Sequence, residues 1–426
     1  MKERDIPLIA ICSESFQSLG RAQARALGYA RLPIAVVPHP FGKLTREQIG
    51  ELAKACVADI ARFALSPTPQ QNVDATAGLG AESVLLEAPE DPQELLTLFT
   101  GRNWCDGLPV IAPTIERVAR MLAGTSHRPD EVIATIAPGF GAATTRLIAA
   151  NAVMAGCEPR YLPVLIAAVQ AVAAPEFNLQ AIQSTTNPVS VWIIVNGPLA
   201  TQTGINADHN CLGDGWRANA TIGRALRFAL RNIGGAIPGQ MDRATHGQPG
   251  KFTFCCAENE ARSPWPALHA ERGFAAGSST VTVVGAEGTT NLNSHARDPE
   301  ELLRVIADTM MRAPANDYLL GRGEPWVVLS PEHAAVFGNA GLSKARVRQR
   351  LWELSRMRAG RMATEDLART RLTRREELGE IGPDTLLPIS IGPEKIGILV
   401  AGGAGTHSVF IPSFGHSYSV TREIQS

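Results

Sequence analysis

The stretch Ile11–Thr45, ICSESFQSLGRAQARALGYARLPIAVVPHPFGKLT, decides the fold of the N-terminal part of the chain. The apolar run Ile6–Cys12 that leads into it is continuous, which is typical of a strand buried in a parallel sheet. Apolar residues recur at helical spacing over 13–27, and Leu32–Val37 predicts a second strand. Residues 45–48 form a capping box that starts another helix. The order β-α-β-α predicts half of a doubly wound parallel sheet, since two strands cannot bury both faces alone.

The remainder of the chain predicts a larger mixed α/β domain. Residues 67–92 are rich in Pro, Gln, Ala and Gly and predict a linker, so that 1–66 and 93–385 form separate units. Residues 386–426 hold an apolar strand, Lys395–Ala401, and a glycine-rich loop. That strand could complete the N-terminal half-sheet or extend the main domain. The main predicted elements are helices over Pro92–Thr100, Thr114–Leu122, 145–157, 161–174, Thr221–Asn232, 299–313 and 343–379, and strands over Ser190–Val195 and Ser279–Val284.

Composition excludes several classes of partner. The 426 residues carry 40 basic and 41 acidic side chains, a net charge of −1, so no basic excess indicates nucleic acid or an anionic membrane. No apolar run reaches the roughly 18 residues of a membrane span, and the N-terminal apolar run is too short for a signal peptide. Seven scattered cysteines without a CxxC pair argue against a disulfide scaffold and a zinc knuckle. We therefore expect a cytoplasmic protein with reduced thiols.

The segment Thr245–Glu260, THGQPGKFTFCCAENE, concentrates groups suited to redox or acid–base chemistry. The run Lys251–Cys256 predicts a short strand, so its two adjacent cysteines should face opposite sides. We take Cys255 as the candidate thiol, and Glu258 and His246 as acid–base groups. The alternative is that both cysteines are small buried hydrophobic residues, which is the usual environment of free cysteine.

Two glycine-containing loops predict binding positions. Gly213–Arg224 leads into the predicted helix at 221, whose free amides could hold an anion with help from Arg217 and Arg224; the alternative is an ordinary capped helix. Gly402–Ser408 follows a strand but has neither GxGxxG nor GxxxxGK[ST] spacing, so no dinucleotide is expected. The candidate groups from these loops and from the segment above are Arg217, Asn219, Thr221, Arg224, Asn259 and Ser408 for substrate binding and His407 for catalysis.

A metal ion is a weaker possibility. His209 and Cys211 lie two residues apart on a polar loop and could bind zinc or copper. No HxxxH or CxxC pair accompanies them, so an ordinary polar loop is the competing interpretation. The cofactor is otherwise unknown.

Several segments of the chain resemble parts of a known family. The segment 11–45 resembles the second half of a UGSC-type domain, named for a selenocysteine- or cysteine-Gly-Ser-Cys motif. The segments WCDGLPV, MAGCEPRYLPVLIAAV, GWRANATIGRALR, THGQPGKFTFCCAENE, PEHAAVFGNAGLSK and VAGGAGTHSVFIPSFG are similar to the large region often fused to that domain. This sequence departs from the family in having no CGSC. It begins where the missing half should end, which leads us to expect a small partner subunit that supplies the motif.

The leading hypothesis is a subunit of a thiol-dependent oxidoreductase or lyase. It would act with that partner, in an oligomer, on a carbon–heteroatom bond of a small polar substrate, with carbon–sulfur the favoured case. A non-redox lyase or hydrolase, or a metal-dependent enzyme, could use the same His, Cys and Glu groups. A non-catalytic scaffold is the third hypothesis, in which the open half-sheet is the interface.

Overall fold

The computed structural model describes residues 8–65, 85–312 and 315–425. Its N-terminal unit is a β-α-β-α segment, as the sequence predicts, made of β1 (Ala10–Ser13), α1 (Gln17–Ala26), β2 (Ile34–Val37) and α2 (Arg46–Leu65). The strands β1 and β2 pair in parallel. The capping box is present: the Thr45 amide donates to Gln48 Oε1 (2.9 Å) and the Gln48 amide donates to Thr45 Oγ1 (3.3 Å). Most of the predicted linker, and the first residues of the predicted strand at 6–12, lie outside the described residues.

The N-terminal sheet is open. Within the described part of the chain it has two strands only, and α2 contributes no buried residue. Large apolar side chains remain in solvent, among them Ile11 (57% exposed) on β1 and Val57 (60% exposed) on α2. Two strands and two helices cannot cover both faces of a parallel sheet. Within the described residues, this unit therefore leaves apolar surface of its sheet and helices uncovered.

The rest of the chain contains two four-stranded sheets. Their strands are β5 (Ser190–Asn196), β6 (Cys255–Ala257), β7 (Thr280–Ala286), β8 (Thr290–Asn293), β9 (Trp326–Leu329), β12 (Gly397–Val400), β13 (His407–Ile411) and β14 (Val420–Glu423). Two small antiparallel pairs lie outside these sheets: β3 (Val132–Ile136) with β4 (Gly141–Thr144), and β10 (Met357–Arg358) with β11 (Leu386–Leu387). The first sheet has the order β14-β7-β5-β6, with β5 and β6 parallel and the other neighbours antiparallel. The second has the order β12-β9-β13-β8, with β12 and β9 parallel.

Helices cover the outer face of each sheet. The helices of this region are α3 (Pro92–Gly101), α4 (Ile115–Leu122), α5 (Thr145–Ala155), α6 (Leu162–Val172), α7 (Leu179–Ser184), α8 (Pro198–Thr203), α9 (Arg217–Asn232), α10 (Leu268–Glu271), α11 (Pro299–Met310), α12 (Asn316–Leu320), α13 (Pro331–Asn339), α14 (Lys344–Leu354), α15 (Thr364–Thr373) and α16 (Arg375–Leu378). The segment 343–379, predicted as helical throughout, is divided because the short strand β10 and a 3₁₀ turn interrupt it.

Alternation along the strands generates four layers. Trp192 and Ile194 of β5 point into a core shared with Trp326 and Val328 of β9, so the two sheets pack face to face. The intervening Ile193 of β5 faces a second core with helices α5, α6 and α9. The alternate residues of β9 and β12 face a third core with α11, α13 and α14. The result is a helix–sheet–sheet–helix arrangement, and the expectation of a mixed α/β fold is confirmed.

Two details correct the sequence interpretation. The strand predicted at Lys251–Cys256 is shorter and later, because Pro249–Lys251 forms a 3₁₀ turn and pairing begins at Cys255. The strand predicted at Lys395–Ala401 pairs with β9, so it extends the main domain and does not complete the N-terminal sheet. The strands of this C-terminal part are divided between the sheets, with β12 and β13 in the second and β14 in the first. No helix among the described residues is both long and apolar enough to cross a membrane.

Candidate functional site

A cleft of about 250 Å³ lies between the second half of α9 and the loop 236–252 that leads to β6. Arg227 and Arg231 are four residues apart and therefore line the same face of α9. An adjoining face carries Ile222, Leu226 and Leu230 into the helix–sheet core. The amphipathic pattern of α9 thus fixes which of its side chains reach the cleft.

Two cations of the cleft bind one shared carboxylate. Asp242 accepts hydrogen bonds from Arg227 Nη2 (2.7 Å) and from Lys251 Nζ (2.8 and 2.9 Å). Burial acts to raise the pKa of Asp242, but the Lys251 ammonium and the Arg227 guanidinium hold it below its ordinary value. Burial also lowers the pKa of Lys251, although Asp242 opposes that shift. The three side chains form one partly buried, hydrogen-bonded cluster.

Arg231 is the cation of the cleft without a carboxylate partner. Its Nε donates to the Asn103 carbonyl (2.8 Å), and across the described ranges it forms no ion pair. Burial, followed by the charge of Arg227, lowers its pKa, but a guanidinium remains protonated at any physiological pH. Asp106 also lines the cleft, but Arg224 neutralises it through two hydrogen bonds of 2.7 and 2.8 Å. The cleft therefore has a positive excess.

The N-terminal unit lies beside this cleft. Ser18, in the first turn of α1, donates from Oγ to the Gln240 carbonyl (3.0 Å), and Gln240 follows a residue of the cleft wall, Gly239. At the carboxyl ends of β1 and β2, Ser13 Oγ and His39 Nδ1 are hydrogen-bonded at 3.0 Å. Open α/β sheets bind ligands at the carboxyl ends of their strands. The binding edge of the half-sheet thus adjoins the loop that bounds the cleft.

The three groups expected to act together in Thr245–Glu260 do not meet. Cys255 faces the core beneath α9, where burial raises the pKa of its thiol far above the ordinary value. Glu258 follows the carboxyl end of β6 and accepts hydrogen bonds from Asn196 Nδ2 (2.6 Å) and the Leu268 amide (2.7 Å). His246 lies before the amino end of β6, in the cleft. Cys255 and Cys256 do face opposite sides, because the former belongs to the helix–sheet core and the latter to the inter-sheet core.

The anion site predicted at the start of α9 has no support in the contacts. Arg217 is occupied by the Gly156 carbonyl (3.0 and 3.2 Å) and by Glu158 (3.0 Å). Asn219 is buried and ties together the backbone of the preceding loop through Asn206 and Cys211, while Thr221 Oγ1 donates back to its own helix. These side chains stabilise the loop and the helix end. The cationic side chains of α9 that line the cleft, Arg227 and Arg231, lie in its second half instead.

The remaining candidates lie around the carboxyl ends of β12 and β6. The Asn259 amide donates to the Val400 carbonyl (2.8 Å), which connects the two sheets. His407 is exposed and contacts Asn291 (3.0 Å). Ser408 is buried, where its hydroxyl contacts His333 Nδ1 (2.6 Å) and accepts from the Ser330 amide (3.0 Å). His333 Nε2 faces the Ser294 carbonyl, so we assign the ring proton to Nε2 and the hydroxyl donates to Nδ1. Ser408 therefore has a packing role and does not reach the cleft.

The two residues proposed as metal ligands diverge. His209 is exposed and contacts Asp208 through Nδ1 (2.9 Å), whereas Cys211 is buried beside Cys256 in the inter-sheet core. The interaction with the Cys256 thiol lowers the pKa of Cys211 although burial opposes the shift. In the described parts of the chain, no three His, Cys, Asp or Glu side chains converge as metal ligands. All seven cysteines are free thiols.

Sequence reasoning missed the charged residues of the cleft. The signal was available for part of them, since Arg227 and Arg231 lie four residues apart on a helix that the sequence already predicts. The positions of Asp242 and Lys251 had no such signal, because they depend on the irregular loop that folds back against α9.

Comparison with known proteins supports the resemblance over one part of the chain. Residues 1–66 match the model of the UGSC family, so the N-terminal unit is similar to that family. The match ends where α2 ends, and the four-layer region lies outside it. No curated protein and no solved structure matches the chain.

Proposed function

We propose that this chain is the substrate-holding subunit of a thiol-dependent enzyme, an oxidoreductase or a lyase. It works with a small partner subunit that carries a Cys-Gly-Ser-Cys motif. The complex acts on a carbon–heteroatom bond of a small polar substrate, with a carbon–sulfur bond the favoured case.

The observation that carries this proposal is the open UGSC-type sheet beside a positively charged cleft. Among the residues that the structure describes, no further strand pairs with the edges of the β1–β2 sheet, and exposed Ile11 and Val57 offer apolar surface, which together favour the addition of further strands and helices. A chain that extends the sheet in parallel presents its own loops at the same carboxyl edge as Ser13 and His39. That edge adjoins the loop at Gln240, so a thiol on such a loop would face the cleft.

The chemistry of the cleft fits a thiol-dependent reaction. A thiolate is the reactive form of cysteine, and nearby cations stabilise it. Arg231 and the Arg227–Lys251 pair supply that positive field, while His246 is exposed in the cleft and can move a proton to or from the bond that breaks. In this proposal the partner supplies the nucleophile, and this chain holds the substrate and supports the charge that develops.

The proposal is tested by capture from an extract of the native cells with the full chain as bait, followed by mass spectrometry. We expect a small protein containing Cys-Gly-Ser-Cys at a stoichiometric ratio. Ile11→Asp on β1 and Val57→Asp on α2 should each abolish its recovery, since both place a charge on the exposed apolar surface. Leu372→Asp is the matched control, because Leu372 is equally apolar and 80% exposed but lies on α15.

Recovery that is unaffected by both N-terminal variants would contradict docking on the half-sheet. Recovery of the wild-type chain alone, as an oligomer with turnover of its own, would contradict the need for a partner.

A non-redox lyase or hydrolase is the second candidate, favoured by His246. This imidazole lines the cleft, is exposed, and makes no hydrogen bond within the described residues, so it is available as a general base. Turnover that survives alkylation of every cysteine but is lost in His246→Gln would favour this candidate over thiol chemistry.

A further inference from the structure

The charges that line the cleft do not cancel. Arg227, Arg231 and Lys251 are all cationic, while Asp242 is the carboxylate that Arg227 and Lys251 share and Asp106 is neutralised by Arg224 from outside. Charges in a concave, partly desolvated site are screened less than charges on an open surface. An anion that enters the cleft therefore gains electrostatic energy that it does not gain elsewhere on a chain with a net charge of −1.

The hydrogen-bond donors that the cleft leaves unused indicate which kind of anion it can bind. Arg227 already donates to Gln183 (2.8 Å) and Asp242, and Lys251 donates to both oxygens of Asp242. Arg231 uses only Nε, toward Asn103, so its two terminal nitrogens have no hydrogen-bond partner among the described residues. Two parallel N–H groups on one planar guanidinium match the two oxygens of a carboxylate.

The size and the walls of the cleft limit the rest of the ligand. A volume of about 250 Å³ is at the small end for a ligand site and suits a small molecule. Phe252, which is about half exposed, adds apolar surface to a lining that also includes the polar side chains of Gln248 and His246. A small organic acid with a short apolar or sulfur-containing body fits this combination better than a nucleotide or a peptide.

We infer that the cleft is a carboxylate-binding site for a small organic acid, in which the terminal nitrogens of Arg231 hold the carboxylate and the Asp242-bound Arg227 and Lys251 supply a fixed positive field. The inference rests on the proposed function in taking this cleft as the position of the substrate. Binding of the acid itself needs no partner subunit, so the two can fail separately.

The test is equilibrium binding of succinate, propionate and neutral propionamide to the full chain, measured by ligand-detected NMR and by calorimetry. We expect saturable binding of both acids and none of propionamide. Arg231→Gln should weaken the binding of the acids about tenfold or more, because a charge-assisted pair of hydrogen bonds is lost. Arg231→Lys keeps the charge without the planar pair of donors and should bind with intermediate affinity.

Arg117→Gln is the matched control. Arg117 donates to one backbone carbonyl (Ala112, 3.1 Å), as Arg231 does, but it does not line the cleft. The affinity of this variant for succinate should equal that of the wild type, and the melting temperatures of all variants report whether the fold is intact. If Arg117→Gln and Arg231→Gln weaken the binding of succinate equally, the effect comes from the net charge of the chain, and the assignment of the site to the cleft is wrong.

Further results would also overturn the inference. Among them are equal binding of propionamide, unchanged affinity in Arg231→Gln, and tighter binding of inorganic phosphate than of either acid. Absence of saturable binding of either acid at millimolar concentration would overturn it as well. If the acids bind as expected and no Cys-Gly-Ser-Cys partner is found, the carboxylate site stands and the proposed two-subunit enzyme falls.

Discussion

Replacing Asp242 by asparagine tests how the cleft is held together. The change keeps the shape of the side chain but removes the charge that Arg227 and Lys251 share. Both cations have side chains that are about 15% exposed, so they would be left largely desolvated without a counter-charge. Removing one partner of a buried ion pair costs about 3–5 kcal/mol. We expect the lower end, about 3 kcal/mol of the free energy of unfolding at neutral pH, because the cleft admits water and the new amide retains a carbonyl acceptor.

The same substitution should change the response to anions and to pH. An added carboxylate can supply the negative charge that the substitution removes near Arg227 and Lys251, so succinate should raise the stability of the variant more than that of the wild type. The pKa of Asp242 is depressed in the folded state, so its contribution is complete above the unfolded pKa and is lost as the pH falls through the folded pKa. The wild type should therefore lose stability in acid more steeply than the variant.

Urea unfolding followed by tryptophan fluorescence measures these differences, with Asp130→Asn as the control. Asp130 is exposed and lies 3.9 Å from an exposed Arg128, so its loss should cost less than about 0.5 kcal/mol. An Asp242 variant as stable as the Asp130 variant, or one that succinate does not stabilise, would refute the reasoning that these cations depend on Asp242.

Two further predictions follow from burial. N-ethylmaleimide should label Cys56 well before Cys255 in the native chain, because Cys56 is partly exposed whereas burial raises the pKa of the Cys255 thiol. Peptide mass spectrometry gives the order of labelling, and early labelling of Cys255 would contradict its position in the core. Ser408→Ala should lower the free energy of unfolding by about 1–3 kcal/mol, since the Ser330 amide and His333 each lose a buried hydrogen-bond partner. The affinity for succinate should stay unchanged. Weaker binding of succinate without a loss of stability would instead assign Ser408 to the site.

Local patterns predicted the elements of this chain well. The capping box at Thr45 and the opposite facing of Cys255 and Cys256 follow from interactions within a few residues or from the geometry of a strand. The open N-terminal sheet was also predictable, because the count of strands in the β-α-β-α segment is too small to bury two faces.

The site was less predictable because it depends on packing between distant segments. Cys255, Glu258 and His246 are close in the sequence, but the strand β6 keeps them apart in the structure. Cys255 faces the helix layer, Glu258 follows the carboxyl end of the strand, and His246 precedes its amino end. Asp242 and Lys251 come together through an irregular loop, for which neither periodicity nor a motif gives a position. The composition of Thr245–Glu260 thus indicated a polar site nearby, but not which of its residues form the site.

Disulfide trapping between the cleft and the partner's motif tests the central claim most directly. Gln240→Cys introduces a thiol at the exposed rim of the cleft, beside the contact with Ser18. On mild oxidation of the assembled complex we expect a disulfide between this residue and the partner's Cys-Gly-Ser-Cys peptide, identified by mass spectrometry, and none with Leu372→Cys on α15. A complex that assembles but links equally from both positions, or from neither, would contradict delivery of the motif to this cleft.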